Sequence, residues 1–383
     1  MKKLLSWIES KLDRLWQNFE DSCENDSNSL SIIRIVYGLF ILIFLNPSFA
    51  WIGEIPQGLF QPKFFSFSNL FNGFPSYSIL LTIEALLVIS AFCILLGVKA
   101  RLAGIVFVIV YLVGNSFRFS FGKIDHGEIV FLTFILGLSF TNWGVKNALI
   151  PDLSVSRSTQ RRILAIVAVI LCFGMFTAGY EKALYWVDFD LGTGGFIRWF
   201  YSGFFTHKRD LLLAPYVTYL PPQIFEAADY FAVIFELIPL VALFFGRKWW
   251  WIWLLVASTF HLGNTLLLNI SFIAHAPVYL TFIPLSSFGS KSKIGLPVKI
   301  KTNYFLASIA AVLGVHYLLN FILRNSVYSP IEYATPLFAT EVELNLYVSI
   351  FIWLITILII GLATLNNILY STSKDSNLVR YRL

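Results

Sequence analysis

The chain alternates long apolar runs with short polar connections, and the runs are apolar on all sides rather than on one face. The hydrocarbon core of a bilayer is ~30 Å thick, so a helix that crosses it needs about 20 mostly apolar residues. Such runs recur at residues 30–48, 77–97, 102–118, 125–142, 162–181, 223–246, 249–270, 272–288, 303–323 and 344–369. The pattern predicts an all-α fold, a polytopic integral membrane helical bundle of about ten spans, nine or ten on this reading. A closed barrel would instead alternate apolar and polar residues within segments of ~10. Pro277 and Pro284 interrupt the run at 272–288, so whether it crosses fully or re-enters on one side stays open.

The amino-terminal segment has a different period. Leu4, Leu5, Ile8, Leu12, Leu15, Trp16 and Phe19 recur at helical spacing, with Lys2, Lys3, Lys11 and Arg14 on other faces. This predicts an N-terminal amphipathic interfacial helix, and the stretch Asp21 to Asn28 after it is polar. It lacks the uninterrupted apolar core and the small-residue cleavage site of a signal peptide. The organisation read from the pattern is a helix and linker over 1–29, a transmembrane domain over 30–370 and a tail over 371–383.

Composition agrees: of 383 residues, 57% are hydrophobic and 13% charged, with mean hydropathy +0.73, which excludes an ordinary soluble domain. The net charge of +6 does not point to nucleic acid, because the basic residues form short clusters rather than one patch. Lys99 with Arg101, Lys146 with Arg157, Arg161 and Arg162, Arg247 with Lys248, and Lys291 with Lys293, Lys299 and Lys301 fall in every second connection. With the first helix and the tail they place 19 Lys and Arg on one side, against eight on the other and Arg34 at the start of the first span. The positive-inside tendency makes the richer side, and both termini, cytoplasmic. The lipid bilayer is thus the first partner implied. Connections 49–76 and 182–222, on the other side, are long and aromatic, and read either as an aromatic belt or as a partly embedded cap. Cys23, Cys93 and Cys172 are too far apart in sequence for a disulfide framework or a metal spacing.

An ionisable group in the apolar region costs at least ~2.5 kcal/mol, so each one needs a partner, a cavity or an interface. Three groups stand out. Lys123-Ile124-Asp125-His126-Gly127-Glu128 opens the fourth run, where Asp125 and Glu128 also suit a capping box that merely starts a helix. Gly179-Tyr180-Glu181-Lys182 with Trp186 ends the fifth run. Lys182 and Trp186 are a turn apart, which allows the ammonium to rest on the indole, although a lysine snorkelling to headgroups has the same pattern. Phe260-His261-Leu262-Gly263-Asn264 with Thr265 lies about midway along the seventh run. Ser258, His261, Asn264 and Thr265 share one face there, which reads either as a site or as a hydrogen-bond network between helices. Glu84, Glu226, Asp229, Glu236 and His275, and the pair His316 and Asn320, are further in-membrane candidates. No nucleotide-binding glycine loop, zinc spacing or nucleophile elbow occurs.

On these groups the sequence resembles the HTTM family, the transmembrane domain of vitamin K-dependent gamma-carboxylases and their bacterial relatives. Ile33-Arg34-Ile35-Val36-Tyr37-Gly38 is similar to its first-span pattern of an Arg followed four residues on by Gly, and Leu96-Gly97-Val98-Lys99-Ala100-Arg101 to its tight basic turn. Asp125-His126, Ala178-Gly179-Tyr180-Glu181-Lys182 and Phe260-His261 with Asn264 follow in the family's order, over residues 30–285. The resemblance implies a multi-pass protein of the bacterial inner membrane that carries out quinol-dependent, carboxylase-like modification of a peptide or small substrate at the outer face. It implies Lys182 as the base toward a reduced quinone of the vitamin K type, His126 assisting, His261 building the pocket, and Asn264, Trp186 and Tyr180 lining the cofactor. The alternative is a non-catalytic membrane factor for maturation or export of a secreted peptide, with that peptide or a partner subunit bound. A transporter would show two related halves with broken helices, and no such symmetry is present. The chain departs from the carboxylases' pattern in three places: only about twenty residues separate the last two runs, Glu181 stands beside the lysine, and Asp125 stands where the carboxylases carry Asn.

The topology is tested by single cysteines. Ser156→Cys and Ser292→Cys are expected to be shielded from impermeant thiol reagents in intact cells while Lys208→Cys is labelled; labelling of the first two would invert the orientation.

Overall fold

The computed structural model describes residues 2–121, 127–188, 190, 194–290, 302–323, 329–338 and 340–380. They form fifteen α-helices and no strand: α1 (Lys2–Cys23), α2 (Ser27–Phe40), α3 (Tyr77–Leu96), α4 (Ala100–Arg118), α5 (Ile129–Leu138), α6 (Arg157–Trp186), α7 (Gly195–Tyr201), α8 (Ala214–Val217), α9 (Pro222–Leu237), α10 (Pro239–Phe244), α11 (Arg247–Leu268), α12 (His275–Leu280), α13 (Ser286–Ser290), α14 (Thr302–Leu323) and α15 (Glu341–Arg380). Six helical stretches among the described residues are long and apolar enough to cross a membrane: Ser27–Glu54, Tyr77–Leu96, Ala100–Phe121, Arg157–Trp186, Arg247–Leu268 and Glu341–Ile368.

Three of the other four runs are shorter or broken. The run at 125–142 yields α5, only 10 residues long, before a turn at Asn142–Gly144. The run at 223–246 breaks between α9 and α10 at Pro239, which has no N–H to give the carbonyl four residues back. Trp253 on α11 supplies the missing donor, its Nε1 lying 3.3 Å from the Phe235 carbonyl. The run at 272–288 contains α12, six residues long, and Trp251 Nε1 donates to the Phe282 carbonyl beyond it at 3.1 Å. The fourth, at 303–323, forms the unbroken 22-residue α14.

The chain divides into two compact units. The first comprises residues 1–24, 164–283 and 338–383. In it α11 packs along α15, and the end of α1 docks on α10 and α11, where Ser22 donates to the Leu243 carbonyl at 3.0 Å and Arg247 to that of Asp21 at 2.8 Å. Farther along α1, Trp7 and Leu12 remain exposed.

The second unit comprises residues 25–163 and 284–337. Asp26 caps α2 through the amides of Asn28 and Ser29, and these bonds, with those of the Ser29 and Ser286 hydroxyls, outweigh burial and hold its carboxyl below the usual range. Gly38 brings α2 against α3 so closely that a Cβ there would lie 2.6 Å from the Leu95 Cα. Arg34, one turn earlier and fully buried, reaches past this contact to the end of α3. Its guanidinium donates to the carbonyls of Ile94 at 2.8 Å and Leu95 at 3.2 Å, and to those of Lys146 and Asn147. The helix stops at Gly97, with φ 68°, and a side chain there would run into Arg34 and Ala148. Arg101, after the turn, ties down the next connection through the Ser139 and Leu153 carbonyls. The first-span and basic-turn motifs are therefore one assembly.

Arg34→Met leaves the buried carbonyls of Ile94 and Leu95, and the half-buried ones of the next connection, without their donor and is expected to lower stability by roughly 3 kcal/mol, read as a drop in the unfolding midpoint in detergent. Arg34→Lys is expected to recover little of it, because an ammonium lacks the planar fork that reaches both segments. A midpoint unchanged by either substitution would remove Arg34 from this role.

Candidate active site

Of the residues singled out in sequence, Lys182 and His261 belong to the same unit. Lys182 sits near the end of α6, one turn after Gly179. At Gly179 the neighbouring α9 comes in so close that an added Cβ would lie 2.8 Å from the Glu236 Cβ. The glycine thus admits Glu236, whose carboxylate forms a hydrogen-bonded ion pair with the Lys182 ammonium. Glu236 is buried, and its second oxygen, Oε2, has no hydrogen-bond partner among the described residues. The carboxylate next to Lys182 in sequence, Glu181, is exposed and is not the partner.

The other side of the ammonium faces Trp186, with Nζ 5.2 Å from the ring centroid. The indole is held against Gly195 at the start of α7, where a side chain would collide with the ring. Asp229, fully buried on α9, fixes that start by accepting from the Gly195 and Phe196 amides at 2.8 and 2.7 Å. Tyr180 is directed elsewhere. Two residues turn a helix by about 200°, and Tyr180 lies exposed, stacked on Phe176.

His261, buried on α11, accepts or donates through Nε2 to the Tyr279 hydroxyl of α12 at 2.8 Å. Its ring lies 5.1 Å from that of Trp353 on α15 and is nearly parallel to it, with Phe272 at 5.0 Å and His275 at 5.3 Å. His261 Nδ1 and Trp353 Nε1 are buried and lack hydrogen-bond partners among the described residues. The rest of the polar face behaves differently: Ser258 and Thr265 spend their hydroxyls on carbonyls one turn back in α11, and Asn264 is half-buried. Of the four residues on the face, His261 is the one that reaches another helix with its side chain.

The two pairs adjoin each other. An aromatic layer fills the interval: Phe235 stacks on Trp253 at 5.5 Å and touches Phe260 at 4.8 Å, and Trp253 meets Tyr279 at 6.2 Å. His126 and Asp125 lie outside the described residues. Glu128 takes bonds from Tyr111 and Asn115 of α4, and the capping-box reading, which needs Asp125, falls outside the described residues. Comparison with known protein families, with curated proteins and with solved structures gives no match.

Sequence reasoning had Glu236 only as one of several in-membrane acids, and it passed over Tyr279 and Trp353. The signal for Glu236 was Gly179, a residue that marks close helix approach one turn from the lysine. Tyr279 and Trp353 carried none, since an aromatic in an apolar run looks the same whether it faces lipid or a histidine.

Glu236→Leu strands the ammonium of Lys182 in a largely buried place and is expected to destabilise by roughly 3 kcal/mol, whereas Lys182→Met/Glu236→Leu is expected to recover most of the loss. Thermal unfolding of the purified variants in detergent measures both. A double variant no more stable than the single would show that the pair is not energetically coupled.

Proposed function

We propose that this chain is an HTTM-type membrane enzyme of about ten spans that uses a reduced quinone to modify a peptide or small substrate at the outer face of the bacterial inner membrane. Both termini are cytoplasmic in this reading, and α1 rides at the interface, with its exposed Trp7 and Leu12 meeting lipid. The observation that carries the reading is the pairing of a buried-edge lysine with a buried carboxylate beside an aromatic cluster that holds unmet polar atoms.

The residues fit a quinol. Hydroxyls on its ring suit the partnerless His261 Nδ1 and Trp353 Nε1 of the aromatic cluster. When bound, the quinol supplies the reducing and proton-abstracting power that side chains lack. Lys182 is the group that removes a proton, once its own ammonium proton has passed to Glu236. Moving one proton from Nζ to the carboxylate turns two buried charges into two neutral groups, which readies the amine as a base without releasing a proton to the bilayer. Trp186 keeps the ammonium form in place between turnovers. Asn264, half-buried a turn from His261, would be a further cofactor-lining residue in this reading.

Lys182→Ala is expected to abolish the phenotype that the intact gene rescues in a deletion strain, and Lys182→Arg is expected not to restore it at equal membrane abundance. A snorkelling anchor needs only a long cation, so arginine would replace it, but a base must lose its proton and arginine effectively cannot. Rescue by arginine would remove the base role and leave the non-catalytic peptide-maturation factor as the reading.

A further inference from the structure

We propose a second binding site, independent of the Lys182 pocket: a cleft in the unit of residues 25–163 and 284–337 that takes the carboxylate of a small organic acid on Arg118. The cleft has a volume of about 280 Å³ and lies between the segment Leu45–Trp51 and the face of α4 that carries Tyr111 and Arg118, with Glu128 at its edge.

Both walls are built. On one, α2 loosens into a wide turn at Ile41–Leu45 and ends at Asn46 with φ 36°, so the chain leaves the helix and runs across the cleft. Glu84 of α3 gathers this segment, accepting from the Phe49 and Ala50 amides and from the Ser48 hydroxyl at 3.2 Å. Phe49 then drops onto Gly114, where an added Cβ would lie 2.6 Å from its ring. On the other wall Tyr111, Asn115 and Arg118 occupy one face of α4 at successive turns. Tyr111 Oη donates to Glu128 Oε2 at 2.5 Å and Asn115 Nδ2 donates to the same oxygen at 3.1 Å.

This arrangement occupies Oε2 and leaves Oε1 facing Arg118 at 3.7 Å, an ion-pair distance too long for a hydrogen bond. Arg118 is 44% exposed, and its fork of donors has no closer acceptor among the described residues. A planar guanidinium with unused parallel donors matches a carboxylate, which it binds through two bonds. The charge of Glu128 at the same place opposes any anion, and the dianion of inorganic phosphate more than the single charge of a carboxylate. The walls Leu45, Pro47, Phe49 and Trp51 suit an apolar body behind the carboxylate. The volume admits a single ring or a short branched chain. The carboxylate belongs either to a free acid or to a glutamyl side chain of a peptide.

Calorimetric titration of the full chain in detergent tests this with benzoate, neutral benzamide, inorganic phosphate and acetyl-glutamyl amide. Benzoate or acetyl-glutamyl amide is expected to bind at least tenfold more tightly than benzamide and phosphate, and the tighter of the two acids names the source. Arg118→Gln is expected to weaken that binding at least tenfold. Glu128→Gln keeps the acceptor for Tyr111 and Asn115 but removes the charge competing for Arg118, so it is expected to tighten binding, a gain that misfolding cannot produce. Benzamide binding as well as benzoate, absence of binding by both acids, or unchanged affinity in Glu128→Gln would each overturn the site.

Discussion

An apolar interior gives the backbone no water to bond with, and every place where a helix stops or breaks inside it must be closed by a side chain. Much of this chain's buried polarity is accounted for by that constraint. Arg34 closes the end of α3, Glu84 gathers the amides beyond α2, Asp229 caps α7, and Trp253 takes the carbonyl orphaned by Pro239. Each is costly to bury alone and cheap once its fixed donors or acceptors are in place, because the backbone dipoles are already oriented toward it.

Subtracting these leaves a short remainder. Lys182 and Glu236 pair with one another and close no helix end. His261 spends one ring nitrogen on Tyr279 and keeps the other without a partner. Arg118 faces Glu128 across a gap that a hydrogen bond does not fill. Glu226 is buried with both carboxylate oxygens partnerless among the described residues. Candidates for function stand out by this exclusion more clearly than by burial or charge alone, since Arg34 is as buried as His261 and has an entirely structural set of bonds.

The helical class and the longest spans were legible in the sequence because length and apolarity, the two properties that decide whether a helix can cross, are local ones. What local reading could not give was where an apolar run would break. Pro239 was visible, but not that Trp253 of the following helix would offer the replacement donor. The site was half legible for a similar reason. Lys182, Trp186 and His261 were marked by their own chemistry, whereas the partner of Lys182 was decided by which helix Gly179 lets in, and Tyr180, adjacent to the motif, faces the other way. Proximity in sequence favoured Glu181 as the neighbouring charge; proximity in space selects Glu236.

That exchange of partner alters the chemistry available to Lys182. A carboxylate that is exposed, as Glu181 is, acts through water and does little more than favour the ammonium. A buried carboxylate in direct contact has a second option, because the proton can cross between the partners and leave neither charged. The interior penalises the charged pair and the contact rewards it, so the two forms lie closer in free energy than they would in water. A ligand that accepts a hydrogen bond from the amine, or donates one to it, then decides which form prevails. Gly179 is what makes the contact possible: without the close approach of α9 the carboxylate would stand off and the lysine would have no buried partner.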